Sequence, residues 1–264
     1  MAACDYAQQQ RVELNRINVF PVPDGDTGTN LSLTLQAIAD HIGGVSARSV
    51  GEVAQQAAQG AVLGARGNCG MMLSHFLLGF AENIEGRERI TTGELGGALS
   101  AGVDILYESL ENPVEGTILT VMRDVATAVC KSAEDDFVPL MAETVREARL
   151  SLERTPEQLE ALKKAGVVDA GAKGFVSMLE GVQMFVDGVS ISADNTEQEF
   201  EGQSVLAMVD YSVEDEQYRF CTEALVRGMT LPTQPAVREA PVSYTHLRAH
   251  ETVLDLVCRL LLEK

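Results

Sequence analysis

Seven segments between residues 31 and 189 repeat apolar side chains at three- and four-residue spacing: "LSLTLQAIADHI", "SVGEVAQQAAQGAVLGA", "GMMLSHFLLGFAENI", "ELGGALSAGVDILYESL", "TILTVMRDVATAVCKSA", "FVPLMAETVREARLSLE" and "AKGFVSMLEGVQMFVDGV". Such a stripe stays in water only at a cost, so each segment needs a neighbour to cover it. Strand-like alternation is absent from this region, and helix on helix is the arrangement that satisfies it. An opening helix over residues 2–16 and a weaker one at "PEQLEALKKAG" bring the number to eight or nine, joined by Gly-rich connectors. The expectation is an all-α domain over residues 1–189.

After that domain the character of the chain changes. Residues 190–204, "SISADNTEQEFEGQS", are polar and acidic and read as a linker. Within residues 205–241, "VLAMVDYSV" and "YRFCTEALVRG" are short and partly β-branched or aromatic, as at the start of a second, α/β-type domain that the chain cuts off. Residues 242–264, "VSYTHLRAHETVLDLVCRLLLEK", read as a translated synthetic sequencing adapter. Two constant blocks, 242–252 and 255–264, flank a short variable gap. The plain alternative is an ordinary amphipathic helix. With the tail set aside as non-native, the natural protein is expected to continue past Pro241, and of the four histidines only His41 and His75 carry weight.

Composition narrows the class of function. No run approaches the eighteen apolar residues of a membrane span, and the N-terminus lacks a basic flank with an apolar stretch, so a cytoplasmic protein is expected. Five scattered cysteines without CxxC spacing fit reduced thiols. A net charge of −19 repels a phosphate backbone, which argues against nucleic acid as a partner.

Three loops carry candidate chemistry. In "NVFPVPDGDTGTNLSLTL", residues 18–35, Pro21 and Pro23 stiffen the approach, and Gly25 and Gly28 permit positive φ and close approach. Thr29 or Asn30 can cap the helix that follows. Asp24 and Asp26 can both present oxygens to one hard cation such as Mg²⁺, which in turn bridges phosphates. Taken alone, a D-G-D triplet reads first as a turn. An EF-hand is rejected, because counting from Asp24 puts Gly28, Thr29 and Leu35 where oxygen, glycine and glutamate are required. Dehalogenase-like and phosphohexomutase-like aspartate sites follow strands, and no strand pattern precedes Asp24.

The second loop, "GARGNCG" at residues 64–70, offers backbone N–H groups and Asn68 at a helix start, a cradle for phosphate. It is not a Walker motif. Arg66 can neutralise phosphate charge, although a loop arginine is more often simply solvated. Cys69 has no neighbouring base to make it a nucleophile, and His75 reads as a packed helix residue. In the third region, "NPVEGTILTVMRD" starts a helix at Gly116 and Thr117, and "GVVDAGAKGF" starts another after Asp169, near Gly171. Asp169 either caps its helix or accepts hydrogen bonds from a nucleotide.

Taken in order, "LNRINVFPVPDGDTGTN", "GARGNCG", "NPVEGTILTVMRD" and "GVVDAGAKGF" resemble the N-terminal kinase domain of the ATP-binding component of fatty acid kinase, a relative of the L subunit of dihydroxyacetone kinase. The resemblance covers about residues 5–190, and "YRFCTEALVRG" resembles the start of that family's middle domain. It implies an antiparallel barrel of about eight helices holding ATP or ADP and two Mg²⁺ ions at one end. It also implies the activity of a kinase component that phosphorylates a fatty acid presented by a separate fatty-acid-binding protein, giving acyl phosphate.

By the same resemblance, Asp24 and Asp26 match metal ligands, and Thr27, Gly28, Thr29 and Asn30 match the adjacent phosphate segment. Gly67, Asn68, Cys69 and Gly70 match the phosphate loop, where relatives commonly carry Ser in place of Cys69. Gly116, Thr117, Asp169 and Gly171 match nucleotide-side positions. The dihydroxyacetone kinase branch has a further aspartate where this chain has Val19, with Asn18 as a weak substitute ligand, and a proline where it has Ala170. Both departures favour the fatty acid kinase branch. Cys221 matches a middle-domain cysteine of metal or catalytic use. Homodimerisation through sequence beyond this chain is a further expectation. Two other functions stay open: a kinase of dihydroxyacetone or another small hydroxy-compound, and a non-catalytic nucleotide-sensing module.

Overall fold

The computed structural model describes residues 2–44, 49–110 and 112–189. Ten helices run through these residues: α1 (Ala2–Gln9), α2 (Arg11–Arg16), α3 (Thr27–Gly43), α4 (Val50–Gly64), α5 (Gly67–Asn83), α6 (Thr92–Ser109), α7 (Ile118–Lys131), α8 (Phe137–Gln158), α9 (Glu160–Ala165) and α10 (Ala170–Val186). No strand occurs among the described residues, as the periodicity predicts. The linker at 190–204, the start of a second domain at 205–241 with Cys221, and the tail at 242–264 lie outside the described residues.

Each helix of the series α3, α4, α5, α6, α7, α8 packs on the next, α8 packs on α10, and α10 closes the ring on α1, α2 and α3. Short connectors between packed neighbours force them antiparallel. Contacts along the pairs bear this out: Ser132 at the end of α7 bonds Glu143 early in α8 at 2.6 Å, whereas Ser151 late in α8 bonds Asp124 in mid-α7 at 2.7 Å. The result is an antiparallel helical barrel. Its interior is apolar, with Leu14, Leu31, Leu35, Leu73, Leu106, Leu119, Met122 and Leu140 fully buried. Each such side chain contributes about 1.5–3 kcal/mol through burial. The Phe76 and Phe175 rings meet edge to face, with centroids 5.9 Å apart.

Two expectations about helix boundaries are corrected. The opening helix over 2–16 is broken at Gln10, so that α1 lies along α10 while α2 packs against the first turn of α3. The weaker helix at "PEQLEALKKAG" splits, because α8 runs on through Pro156 and α9 begins only at Glu160. A helical proline removes the N–H that would bond the carbonyl four residues back, here Leu152. The Thr155 hydroxyl donates to that carbonyl at 2.7 Å and supplies the missing partner. Among the described residues no helix is long and apolar enough to cross a membrane.

Antiparallel alternation settles where the loops go. The starts of α3, α5, α7 and α10 share one pole with the ends of α2 and α8, and the starts of α4, α6 and α8 occupy the other.

Candidate functional site

The two poles treat their helix starts differently. At the far pole α4, α6 and α8 are each capped by their own N-cap side chain: Ser49 for α4, Thr91 with Glu94 in a reciprocal box for α6, and Asp136 for α8. A cap of this kind stabilises a helix by about 1 kcal/mol. At the near pole Asp26, Arg66 and Thr117 make no such bond to α3, α5 and α7. Only α10 is capped by its own residue, Asp169. First-turn N–H groups and the positive end of the helix dipole at this pole suit an anion.

The structure brings the three candidate loops together here. The side chain of Asn30 on α3 lies against Gly67 at the start of α5. A Cβ on Gly67 would sit 2.5 Å from Asn30 Nδ2, and its φ of +59° is one that only glycine adopts without strain. Thr34, one turn further along α3, accepts the Arg66 backbone N–H at 3.0 Å and donates its hydroxyl to the Asn30 carbonyl at 2.8 Å. Gly171 of α10 faces Cys69 of α5 and Ile118 of α7, since a Cβ built there would lie 3.6 Å from each. Cys69, Gly70, Gly116, Thr117 and Asp169 are buried, whereas Thr27, Thr29, Asn30, Gly67, Asn68 and Gly171 are part-exposed.

The acidic loop runs beside this junction. Gly25 takes φ +69° between Asp24 and Asp26, which turns the chain into α3. Asp24 is exposed and Asp26 is half-buried. Asn18, 2% exposed, donates from Nδ2 to Asp24 Oδ1 at 2.8 Å, while its own Oδ1 is buried and accepts no hydrogen bond. Val19 is buried, and it is Asn18 that reaches Asp24. Carboxylate and amide oxygens are the donor set that Mg²⁺ prefers. No cluster of three His, Cys, Asp or Glu able to hold a metal occurs among the described residues. The set therefore fits an ion that also takes oxygens from a ligand, as Mg²⁺ does with phosphates.

Several sequence expectations shift by a turn or change role. The N-cap of α3 is Asp26, so Thr29 and Asn30 lie in its first turn and do not cap it. The N-cap of α5 is Arg66, one residue before the helix begins at Gly67, and Asn68 lies inside the first turn. The Arg66 side chain is exposed and donates to the neighbouring Ala65 carbonyl at 2.9 Å. Gly116 and Thr117 reach the same pole but are bonded inward. The Gly116 N–H donates to Thr120 Oγ1 at 2.8 Å, and the Thr117 hydroxyl donates to the Val114 carbonyl at 2.8 Å. Their turn is held from outside by Glu115, which accepts from Thr120, Tyr107 and Arg123.

Asp169 takes the capping role. Its Oδ2 accepts the Ala172 N–H at 2.7 Å, and the carboxylate also accepts from the Gly171 and Ile118 N–H groups, so it ties α10 to the start of α7. Burial pushes its carboxyl up to about 6 against the pull of those three donors. Burial, with the Asp169 charge adding to it, likewise pushes the Cys69 thiol up to about 12, which removes it as a nucleophile at neutral pH. Since the folded pKa of Asp169 lies above its unfolded value, the stability it contributes is complete below about pH 4 and is lost as pH rises through about 6. Asp169→Asn does not titrate. Between pH 4 and 7 its stability, measured by thermal melting, is expected to gain on that of the unaltered chain by on the order of 2–3 kcal/mol. Parallel curves would contradict the buried carboxylate.

One residue that matters here carries no signal of its own in the sequence. Asn15, on α2, accepts the Thr29 N–H at 3.1 Å and donates to Thr29 Oγ1 at 3.0 Å, holding the first turn of α3 across fourteen residues of chain. A groove of about 370 Å³ lies elsewhere, between α6 and α7, bordered by Tyr107, Arg123 and the exposed Cys130.

Known proteins show the same fold and sequence pattern. The chain is 41% identical over 224 residues to an uncharacterized protein of Staphylococcus haemolyticus, covering 81% of this chain and 40% of that one. It is 38% identical over 236 residues to Protein YloV of Bacillus subtilis, covering 86% and 42% respectively. The chain thus spans about two fifths of the length of these curated relatives. A crystal structure of dihydroxyacetone kinase from C. freundii, in complex with AMP-PNP and Mg²⁺, superposes with a TM-score of 0.54 over 70% of this chain and 32% of that one, at 16% identity. That likeness is one of fold. Residues 21–184, more than half of the chain and including both aspartates and the second and third loops, match the family profile of the DAK2 domain, and the chain belongs to that family.

Proposed function

We propose that this chain is the nucleotide-binding part of an ATP-dependent phosphotransferase whose acceptor is the carboxylate of a fatty acid presented by a separate fatty-acid-binding protein, giving an acyl phosphate. The observation that carries the reading is the near pole. There the α3 and α5 starts, which lack caps from their own N-cap residues, lie side by side, with Asp24 and Asp26 on the adjoining loop. A kinase needs little covalent chemistry from the protein; it needs phosphate held in line and its charge offset. The N–H groups of residues 67–69 and of Thr27 and Gly28 bind phosphate oxygens, and the exposed Arg66 is near enough in sequence to add positive charge. Asp24 and Asp26 would hold Mg²⁺ jointly with the nucleotide, with Asn18 bonded to Asp24 beside them. When bound, the ion offsets phosphate charge and orients the transferred group.

The acceptor follows from the sequence resemblance and from chemistry. A fatty carboxylate is already ionised near neutral pH, so transfer to it requires no general base. The described histidines provide none at this pole: His41 lies in the last turn of α3, at the far pole, and His75 is buried within α5. A hydroxyl acceptor such as dihydroxyacetone is the second reading, favoured by the fold of the C. freundii enzyme and disfavoured by Val19 and Ala170. A longer protein containing this chain, given ATP, Mg²⁺ and a fatty acid on its carrier, is expected to form a hydroxylamine-trappable acyl phosphate. Phosphorylation of free dihydroxyacetone instead would replace the first reading with the second.

A further inference from the structure

The motif "LNRINVFPVPDGDTGTN" contains two asparagines three residues apart, and the structure gives them complementary tasks on either side of the acidic loop. Asn18 reaches the upstream arm, donating to Asp24 Oδ1 at 2.8 Å. Asn15 reaches the downstream arm just past Asp26, with its amide paired both ways to Thr29, at 3.1 Å to the backbone N–H and 3.0 Å to the hydroxyl. Both stand on the end of α2 and the residues directly after it, so one short rigid segment grips both arms of the loop.

The grip on Asp24 is held at a cost. Asn18 is 2% exposed and its Oδ1 is buried without a hydrogen-bond partner. A buried unsatisfied carbonyl is destabilising, and an apolar side chain of similar shape at that position would avoid the penalty. The benefit of the amide lies in what Nδ2 does: it bonds one oxygen of the otherwise exposed Asp24 carboxylate and so fixes that side chain.

We propose that Asn15 and Asn18 are positioning residues that brace the loop so that Asp24 and Asp26 stand at the spacing a divalent cation needs before nucleotide arrives. The brace rests on the metal role given to the aspartates above. It assigns Asn18 to orienting Asp24, in place of direct ligation, and adds Asn15, whose Oδ1 also receives the α3 first-turn N–H that Asp26 leaves uncapped.

Mn²⁺ is a suitable probe, because free ion is read by its paramagnetic signal. With the full chain and a non-hydrolysable ATP analogue, Asn18→Leu is expected to weaken Mn²⁺ binding about tenfold, the equivalent of one lost hydrogen bond, while thermal stability stays level or rises. A purely structural asparagine would show the reverse, lost stability with affinity kept. Asn15→Ala is expected to weaken Mn²⁺ binding to a similar degree, and Asn15→Asp to restore it, since a carboxylate accepts from both the Thr29 N–H and its hydroxyl. If the unaltered chain binds Mn²⁺ and both Asn18→Leu and Asn15→Ala bind within twofold of it, the brace is wrong and the metal role stands. If the unaltered chain binds no Mn²⁺, the metal role fails and the brace falls with it.

Discussion

Asp26→Ala is expected to weaken Mg²⁺-dependent nucleotide binding by at least about 100-fold while leaving the helical content unchanged. The two halves of that expectation come from different observations. Asp26 stands at the N-cap of α3 but its side chain makes no cap hydrogen bond, so its removal takes nothing from the helix on that account. Its carboxylate stands two residues from Asp24, in a loop whose turn depends on Gly25 at φ +69°. Among the described residues no third acidic side chain joins the pair in a metal-holding cluster, so removal of one leaves too few hard oxygens to compete with water for Mg²⁺. Calorimetric titration with a non-hydrolysable ATP analogue, in Mg²⁺ and in chelator, reads the loss, and circular dichroism reads the helices. Full binding by the variant would remove Asp26 from the metal site.

The second large effect is on folding. At Gly28, in the first turn of α3, a Cβ would lie 2.2 Å from the Arg11 carbonyl oxygen and 2.9 Å from both Asn15 Oδ1 and Leu14 Cβ. The nearest of these is backbone, so relief requires α2 to move off α3. That movement breaks the Asn15–Thr29 pair and pulls on the acidic loop. Gly28→Ala is expected to destabilise the chain by about 3 kcal/mol in denaturant titration and to weaken nucleotide binding as well. Gly93, in the first turn of α6, has nothing within 4 Å of where a methyl group would stand, so Gly93→Ala is the control. It is expected to stabilise by about 0.5 kcal/mol, because alanine gives up less backbone entropy in a helix. Equal effects at the two glycines would mean that α2 does not press on α3 as described.

These contrasts show which parts of the molecule the sequence expressed. Helix identity was legible because each stripe of Leu, Val and Ala has to be buried, and burial imposes a period that can be counted. Helix ends were less so. Asp26, Thr29 and Asn30 are all residues that cap helices, and choosing among them depends on where Asn15 and Gly67 sit in space. The run of α8 through Pro156 was hidden for a similar reason, since tolerance there depends on the Thr155 hydroxyl turning back to Leu152. The aspartate pair and the glycine-rich loop were visible as local patterns. Asn15 was not, because its partner lies fourteen residues away and asparagine has no period to betray it. For Asp169 the sequence left capping and nucleotide contact open; burial at 5% exposure and three backbone donors assign it to the cap.

The acidic loop, the α5 start and the junction at Gly171 form a single pole, and the central claim is that Mg²⁺ and nucleotide meet there. A crystal structure of the chain grown with Mg²⁺ and a non-hydrolysable ATP analogue tests this most directly. Phosphate oxygens are expected against the backbone of residues 67–69, and a metal ion on Asp24 and Asp26, with Asn18 still bonded to Asp24. Nucleotide bound at another surface, or a metal ion that touches neither aspartate, would contradict the claim.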